Sequence, residues 1–391
     1  MSYASTKASP TFPAMQFPVI GGGVMGLALV VLAAASVGGM RQALLAVIGF
    51  AAGIALYHAS FGFTAAWRRM INEGRSVGIR AQIIMLAVAI AVFFPLLGQG
   101  EFAGQALGGF VNPVGIALLL GAFLFGIGMQ LGGGCGSGTL FTVGGGSSRM
   151  VVTLVAFIVG SVIATADPGG WMAWPEIGRY SLVESLGPWI ALIVAATILA
   201  LVYGLLGYRE RKQHGAIAPL WTGWNGNLLR GPWPLVLGAV ALAVINIATL
   251  IVAGQPWGIT SAFALWGAKL LHAFGMDVSG WRYWQGDPAL GRSVFADVTS
   301  VMNFGLMLGA LTAAGVAGKF RPQSHIPFLS LLAAVLGGLL MGVGARMATG
   351  CNIGAFFSGT VSGSLHGIVW LALAIPGNWI GVHLRRHFRL D

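Results

Sequence analysis

The chain has 391 residues, 57% hydrophobic and only 8% charged, with a formal net charge of +11. A soluble domain carries roughly 25% charged residues, so a water-soluble fold is excluded. Two cysteines exclude a disulfide framework and a cysteine-rich metal site, and the basic excess reads as a membrane-topology signal rather than a nucleic-acid surface.

Apolar runs long enough to cross about 30 Å of hydrocarbon recur along the whole chain. Nine are expected to span, at 18–36, 81–98, 113–131, 150–166, 188–207, 232–254, 295–316, 327–345 and 366–384. The first is long for the core of a cleaved leader and has only Lys7 before it, so it is read as a retained helix. Four further segments, 50–67, 132–148, 259–275 and 346–362, are too short or too glycine-broken to cross. They are expected to enter and leave on one side, which needs protein or a polar cavity around their backbone. The predicted fold class is an all-α polytopic membrane protein of about nine transmembrane helices plus four re-entrant short-helix segments.

Charge orients this arrangement. With the N-terminus outside and the C-terminus cytoplasmic, Arg41, Arg68, Arg69, Arg75, Arg80, Arg149, Arg209, Arg211, Lys212, Arg230, Lys319, Arg321, Arg385, Arg386 and Arg389 fall inside. Lys7, Arg179, Lys269, Arg282, Arg292 and Arg346 fall outside, as the positive-inside rule prefers. The expected location is a bacterial inner membrane.

A duplicated segment organises the chain. Gly126-Ile-Gly-Met-Gln-Leu-Gly-Gly-Gly-Cys135-Gly-Ser-Gly138-Thr-Leu-Phe141-Thr142 matches Gly342-Val-Gly-Ala-Arg-Met-Ala-Thr-Gly-Cys351-Asn-Ile-Gly354-Ala-Phe-Phe357-Ser358 at a constant offset of 216. Five expected spans separate the starts of the halves, so the repeat is predicted to be inverted, as in many secondary transporters. Residues 1–207 form the first repeat with 188–207 as an extra helix, 208–231 the cytoplasmic linker, and 232–391 the second repeat.

Each loop runs Gly-Cys-x-x-Gly into a short apolar helix. A cysteine there lies where unpaired N–H groups and the positive end of the helix dipole point inward, a setting that binds anions. Gly134 and Gly350 precede the cysteines, and Asn352 follows the second. Gln130 and Arg346 occupy equivalent positions, one neutral and one charged. An arginine deep in a membrane fold is costly and is a functional candidate by default. His58, Asn246, His272, Asp297 and Asn303 read as helix-end or interhelical hydrogen-bonding residues. No metal site, catalytic acid/base pair, nucleotide-binding loop or cofactor motif is present, so no enzyme activity is predicted.

At these loops the sequence resembles the YeeE/YedE family of sulfur-transport membrane proteins. Ser60-Phe-Gly-Phe-Thr-Ala-Ala-Trp-Arg-Arg69, Gly258-Ile-Thr-Ser-Ala-Phe-Ala-Leu-Trp266 and Phe274-Gly-Met-Asp277 extend the likeness to nearly the whole chain. The resemblance implies an hourglass-shaped inverted repeat. It implies uptake of thiosulfate or a related sulfur compound along cysteine thiols, with a cytoplasmic TusA-like sulfur-carrier protein as partner. Thiosulfate-importing members carry a third cysteine in the first re-entrant segment, where this chain has Gly62; the second half is closer to a branch linked to selenium metabolism. The readings set against a thiosulfate permease are transport of another sulfur or selenium species, an intramembrane dithiol redox protein using Cys135 and Cys351, and a scaffold for another membrane protein.

Overall fold

The computed structural model describes residues 13–390. Lys7 and the first twelve residues lie outside the described residues, as does Asp391. The structure is 71% helical with almost no sheet, and among the described residues nine helical stretches are long and apolar enough to cross a membrane. In order the helices are α1 Phe17–Ala59, α2 Phe63–Glu73, α3 Val77–Gln99, α4 Ile116–Gly132, α5 Gly136–Gly144, α6 Ser148–Thr165, α7 Leu182–Leu186, α8 Pro188–His214, α9 Leu235–Ala253, α10 Thr260–Ala273, α11 Val298–Ala317, α12 Phe328–Met347, α13 Ser358–Val361 and α14 Leu365–Leu384. A π-helical turn, Asn352–Phe357, leads into α13. Two short antiparallel pairs, Glu101–Phe102 with Gln105–Ala106 and Pro113–Gly115 with Glu176–Arg179, lie in connecting segments.

The first helix corrects the expected topology. Gly39 interrupts α1 with φ 65° and ψ −161°, a conformation open to glycine. Along the arm 17–38, Ile20 lies by Gly315, Gly23 by Thr312 and Gly26 by Leu308, so this arm runs antiparallel to α11. Along 40–59 the order reverses: Gln42 bonds Ala296, Gly49 meets Met302 and Gly53 meets Leu306 and Ala310. The two arms therefore fold back on each other, each of about 30 Å at 1.5 Å per residue. The expected re-entrant segment 50–67 is instead the end of a membrane-length arm, a break at Ser60–Gly62 and the start of α2. Arg41 was expected in an inner loop. In the structure Arg41 donates to the Val252 and Ala253 carbonyls and Gln42 Nε2 to the Ala296 carbonyl at an arm's end, while the buried Gln42 Oε1 has no partner.

That extra arm brings both described chain ends to one end of the bundle, where the sequence reading had placed them on opposite sides. Gln16 bonds Phe320, Arg230 reaches the Pro13 carbonyl, and Gln323 bonds Ser148. Arg149 there joins the Leu131 and Gly132 carbonyls to Ser330, and Arg385 donates to the Gln130 carbonyl. Arg41 lies at the other end, beside the last carbonyls of α9.

Small residues set the helix crossings. α4 crosses α12 where Gly128 faces Gly337, and a methyl on Gly337 would sit 2.2 Å from the Gly132 nitrogen. Backbones approach that closely only without side chains, which in lipid replaces the missing hydrophobic drive for association. The packing is reciprocal between halves: α4 lies on α14 and α6 on α12, while α1 lies on α11 and α3 on α9.

Candidate functional site

The two cysteine loops share one local geometry. After α4 the chain turns through Gly133 at φ 93°, and Cys135 stands extended before α5 at φ −81°, ψ −166°. After α12 it turns through Thr349 and Gly350, and Cys351 stands at φ −105°, ψ −167° before the π-helical turn. The Cys135 sulfur faces the Ser137 and Gly138 N–H groups and lies 3.5 Å from the Ser137 hydroxyl. The Cys351 sulfur faces the Ile353 and Gly354 N–H groups. Each thiol thus sits in the first-turn amides of its own short helix, as the sequence pattern predicts. Any side chain at Gly350 would meet the Ala355 nitrogen at 2.7 Å, and one at Gly134 the Gly138 carbonyl carbon at 3.0 Å. Glycine is what lets the chain tuck against that first turn.

The loops come from opposite ends of the bundle and meet. The α5 loop begins and ends at the end that holds Arg149, whose guanidinium grips the Leu131 and Gly132 carbonyls. The second loop returns at the other end, where Ser362 bonds the Phe110 N–H and His366 the Asn112 N–H. At the meeting point a methyl on Gly136 would lie 3.0 Å from Cys351 Sγ, and that sulfur faces the Gly136 N–H. Both cysteines are free thiols and wholly buried.

Gln130 and Arg346 occupy matched places with different chemistry. Gln130 is fully buried and donates to the Thr64 carbonyl (3.1 Å) and to Asn378 Oδ1 (2.7 Å), while its own Oε1 has no partner. Arg346 is 7% exposed and donates to the Tyr283 hydroxyl (2.9 Å) and to Thr260 Oγ1 (2.7 Å), with Nε unpartnered. No carboxylate pairs with it; the salt bridges among the described residues are those of Arg75 and Arg80 to Glu210. An anion about 4 Å away would gain roughly 4 kcal/mol at an effective dielectric constant near 20.

Asn352, next to Cys351, is fully buried and neither its Oδ1 nor its Nδ2 has a partner, an unusual state for a buried amide. Gly62 caps α2 and lines a hollow of about 300 Å³ with Ser60, Arg69, Gln82, Thr222 and Trp233. A side chain there would find nothing closer than 3.9 Å. Four residues that matter were not singled out as site residues from sequence: Thr260, Tyr283, Trp257 and Ser358. Thr260 and Tyr283 hold Arg346. Ser358 donates to the Trp257 carbonyl, which with Asn246 accepting from the Trp257 N–H and Asn303 donating to the Ile259 carbonyl pins the segment 254–259. Thr260 and Trp257 lie in or beside the segment Gly258–Trp266, but no spacing ties them to a charge more than 80 residues away. Asp297 caps α11 by accepting from Ser300, a helix-end role, whereas Asn246 and Asn303 bond the connecting segment before α10 rather than another helix.

Comparison with known proteins agrees with this picture. The chain is 26% identical over 364 residues to the thiosulfate transporter TsuA of Spirochaeta thermophila, covering 85% of this chain and 95% of that one. It is 24% identical over 350 residues to the Escherichia coli thiosulfate transporter TsuA, covering 85% and 91%. A 149-residue stretch is 29% identical to the Escherichia coli probable transporter YedE, 38% of this chain and 37% of that one. Residues 58–380, from the end of α1 into α14, match the profile of the sulphur-transport family, and the chain belongs to that family.

Proposed function

We propose that the protein is a permease of the bacterial inner membrane that carries a sulfur-containing anion, foremost thiosulfate, past the thiols of Cys135 and Cys351. The observation that carries this reading is the meeting of two cysteine loops, from opposite ends of the bundle, at Gly136 and Cys351. In this reading both loops are re-entrant. The halves from 40–59 to α6 and from α9 to α14 form an inverted repeat, with the 17–38 arm and α8 outside it. The end bearing Arg68, Arg69, Arg149, Arg211, Arg230 and Arg386 faces the cytoplasm by the positive-inside rule, so both described termini are cytoplasmic and Arg346 lies toward the outside. An anion meets Arg346 first, passes thiols that offer weak S–H donors and polarisable sulfur, and leaves past Gln130 and the hollow at Gly62. A TusA-like carrier collects sulfur at that cytoplasmic end. The names of the two full-length relatives support thiosulfate as the substrate.

The test is growth and labelled thiosulfate uptake in cells that depend on this protein for sulfur. Cys135→Ala and Cys351→Ala, present in the membrane at normal levels, are expected to lower uptake at least about tenfold, the effect of about 1.4 kcal/mol. Undiminished uptake would remove the thiols from the path. One observation favours a second reading, an intramembrane dithiol: the Cys351 sulfur faces the N–H of Gly136, the residue after Cys135. Formation of a Cys135–Cys351 crosslink with oxidant, which needs Cα atoms about 4.4–6.8 Å apart, would favour it over simple permeation.

A further inference from the structure

The partners of Arg346 have an unusual property. Both Tyr283 and Thr260 accept a hydrogen bond from the guanidinium, so the hydrogen of each hydroxyl must point elsewhere. Neither hydroxyl donates to an acceptor among the described residues, and the Arg346 Nε–H has no acceptor either. The guanidinium spends two of its five N–H groups on these hydroxyls, so its Nε–H, one hydrogen on each Nη and the two hydroxyl hydrogens have no acceptor among the described residues. Arg346 and Thr260 are buried and Tyr283 half-buried; buried donors are ordinarily paired, so this arrangement calls for an acceptor-rich group. It also adjoins the thiol: the Thr260 methyl and Cys351 Sγ lie 3.3 and 3.0 Å from the same point above Gly136.

Tyr283 arrives from the long segment 274–297, which is folded rather than loose. Val278 and Trp284 are buried against Val162, Ala264, Leu265 and Ala268, Trp284 donates to Thr165, and Lys269 ties down the Leu290 and Arg292 carbonyls. The corresponding connection in the first half, between α2 and α3, is a short turn with no such cap.

We infer that Arg346, Tyr283 and Thr260 form a recognition site for the oxygens of a small tetrahedral oxyanion, with Tyr283, set by its folded cap, as the specificity-determining residue. The inference rests on the anion-transport reading and adds to it the group that grips the oxygens. A bound thiosulfate would accept from Arg346 Nε–H and from the Tyr283 and Thr260 hydroxyls, leaving its terminal sulfur toward Cys351. Sulfate, with oxygen in that place, binds the same donors.

The experiment uses purified full-length protein, with thiosulfate and sulfate binding measured by calorimetry and thiosulfate uptake measured in proteoliposomes. Tyr283→Phe and Thr260→Val are each expected to raise the dissociation constant for both anions and the half-saturating thiosulfate concentration about tenfold to thirtyfold, with maximal uptake within about twofold, the loss of one hydrogen bond to an ion. Thr260→Ser, which keeps the hydroxyl, should stay within about twofold of the parent protein. Arg346→Gln should weaken binding about a hundredfold. Wild-type affinity in both Tyr283→Phe and Thr260→Val, or a parent protein that binds neither anion, overturns the site. A parent protein that binds both anions through these residues but carries no thiosulfate overturns the transport reading and leaves the site standing.

Discussion

The two mouths of the cysteine loops repeat one backbone and differ in everything that meets an anion. At the mouth by Gln130 the guanidiniums of Arg149 and Arg385 donate to carbonyls, those of Leu131 and Gly132 for the first and Gln130 for the second. Carbonyls at a helix C-terminus are natural partners for cations, so that charge is answered within the fold. At the other mouth Arg346 has hydroxyl partners, and no carboxylate or carbonyl is bonded to it. The approach segments contrast as well: 254–259 is pinned by Asn246, Asn303 and Ser358, whereas Ser60–Gly62 borders a hollow. In the proposed reading the two mouths are unequal: Arg346 meets an anion at one, and the uncharged Gln130 and the hollow lined by Arg69 lie at the other.

Making the mouths alike should have the largest effect. Gln130→Arg would place a guanidinium among the Thr64 carbonyl, Asn378 and the Arg385 contact, with no acid in reach. An uncompensated buried charge costs about 3–5 kcal/mol, so loss of most folded protein from the membrane fraction is expected. Gln130→Met, which fills the same volume without charge, should leave the fold in place. Normal folding of the Gln130→Arg protein would show that this mouth can hold a charge as easily as the other.

Loosening the pinned segment comes next. Asn246→Leu removes the acceptor of the Trp257 N–H, and Asn303→Leu removes the donor to the Ile259 carbonyl, both buried. Each leaves one backbone group unpaired at a cost of about 1–3 kcal/mol. Thiosulfate uptake is expected to fall about threefold to tenfold, because Thr260, which follows Ile259, would no longer be fixed beside Arg346. Equal uptake in both variants would mean that the rigid approach has no part in holding the anion.

How much of this was legible in the sequence follows from the range of each interaction. The cysteine loops were readable because the cradle is local: glycines, cysteine and short helix lie within ten residues, and the repeat prints them twice. The unequal pair Gln130 and Arg346 was visible for the same reason. Arm 40–59 was missed because Arg41 reads as a loop charge unless one knows that the α9 carbonyls await it more than 200 residues on. Tyr283 and Thr260 were invisible as site residues since their only mark, a bond to Arg346, exists once the segment 274–297 has folded over α10.

The smallest expected effect bears on the exit. Gly62 sits at φ −111° and ψ 121°, a backbone any residue adopts, with no atom within 3.9 Å of a new Cβ. Gly62→Cys should therefore change stability by no more than about 0.5 kcal/mol, a shift of about 1–2 °C in thermal midpoint. Since Gly62 lines the 300 Å³ hollow while Cys135 and Cys351 are 1% and 0% exposed, the new thiol should be labelled by a membrane-impermeant maleimide and the two native ones should not. In inside-out vesicles labelling should be fast, and in right-side-out vesicles absent. Labelling from the Arg346 side instead would reverse the direction assigned to the two mouths, because the open hollow would then be the entrance. No labelling from either side would mean the hollow is closed to solvent, and the contrast would rest on charge alone.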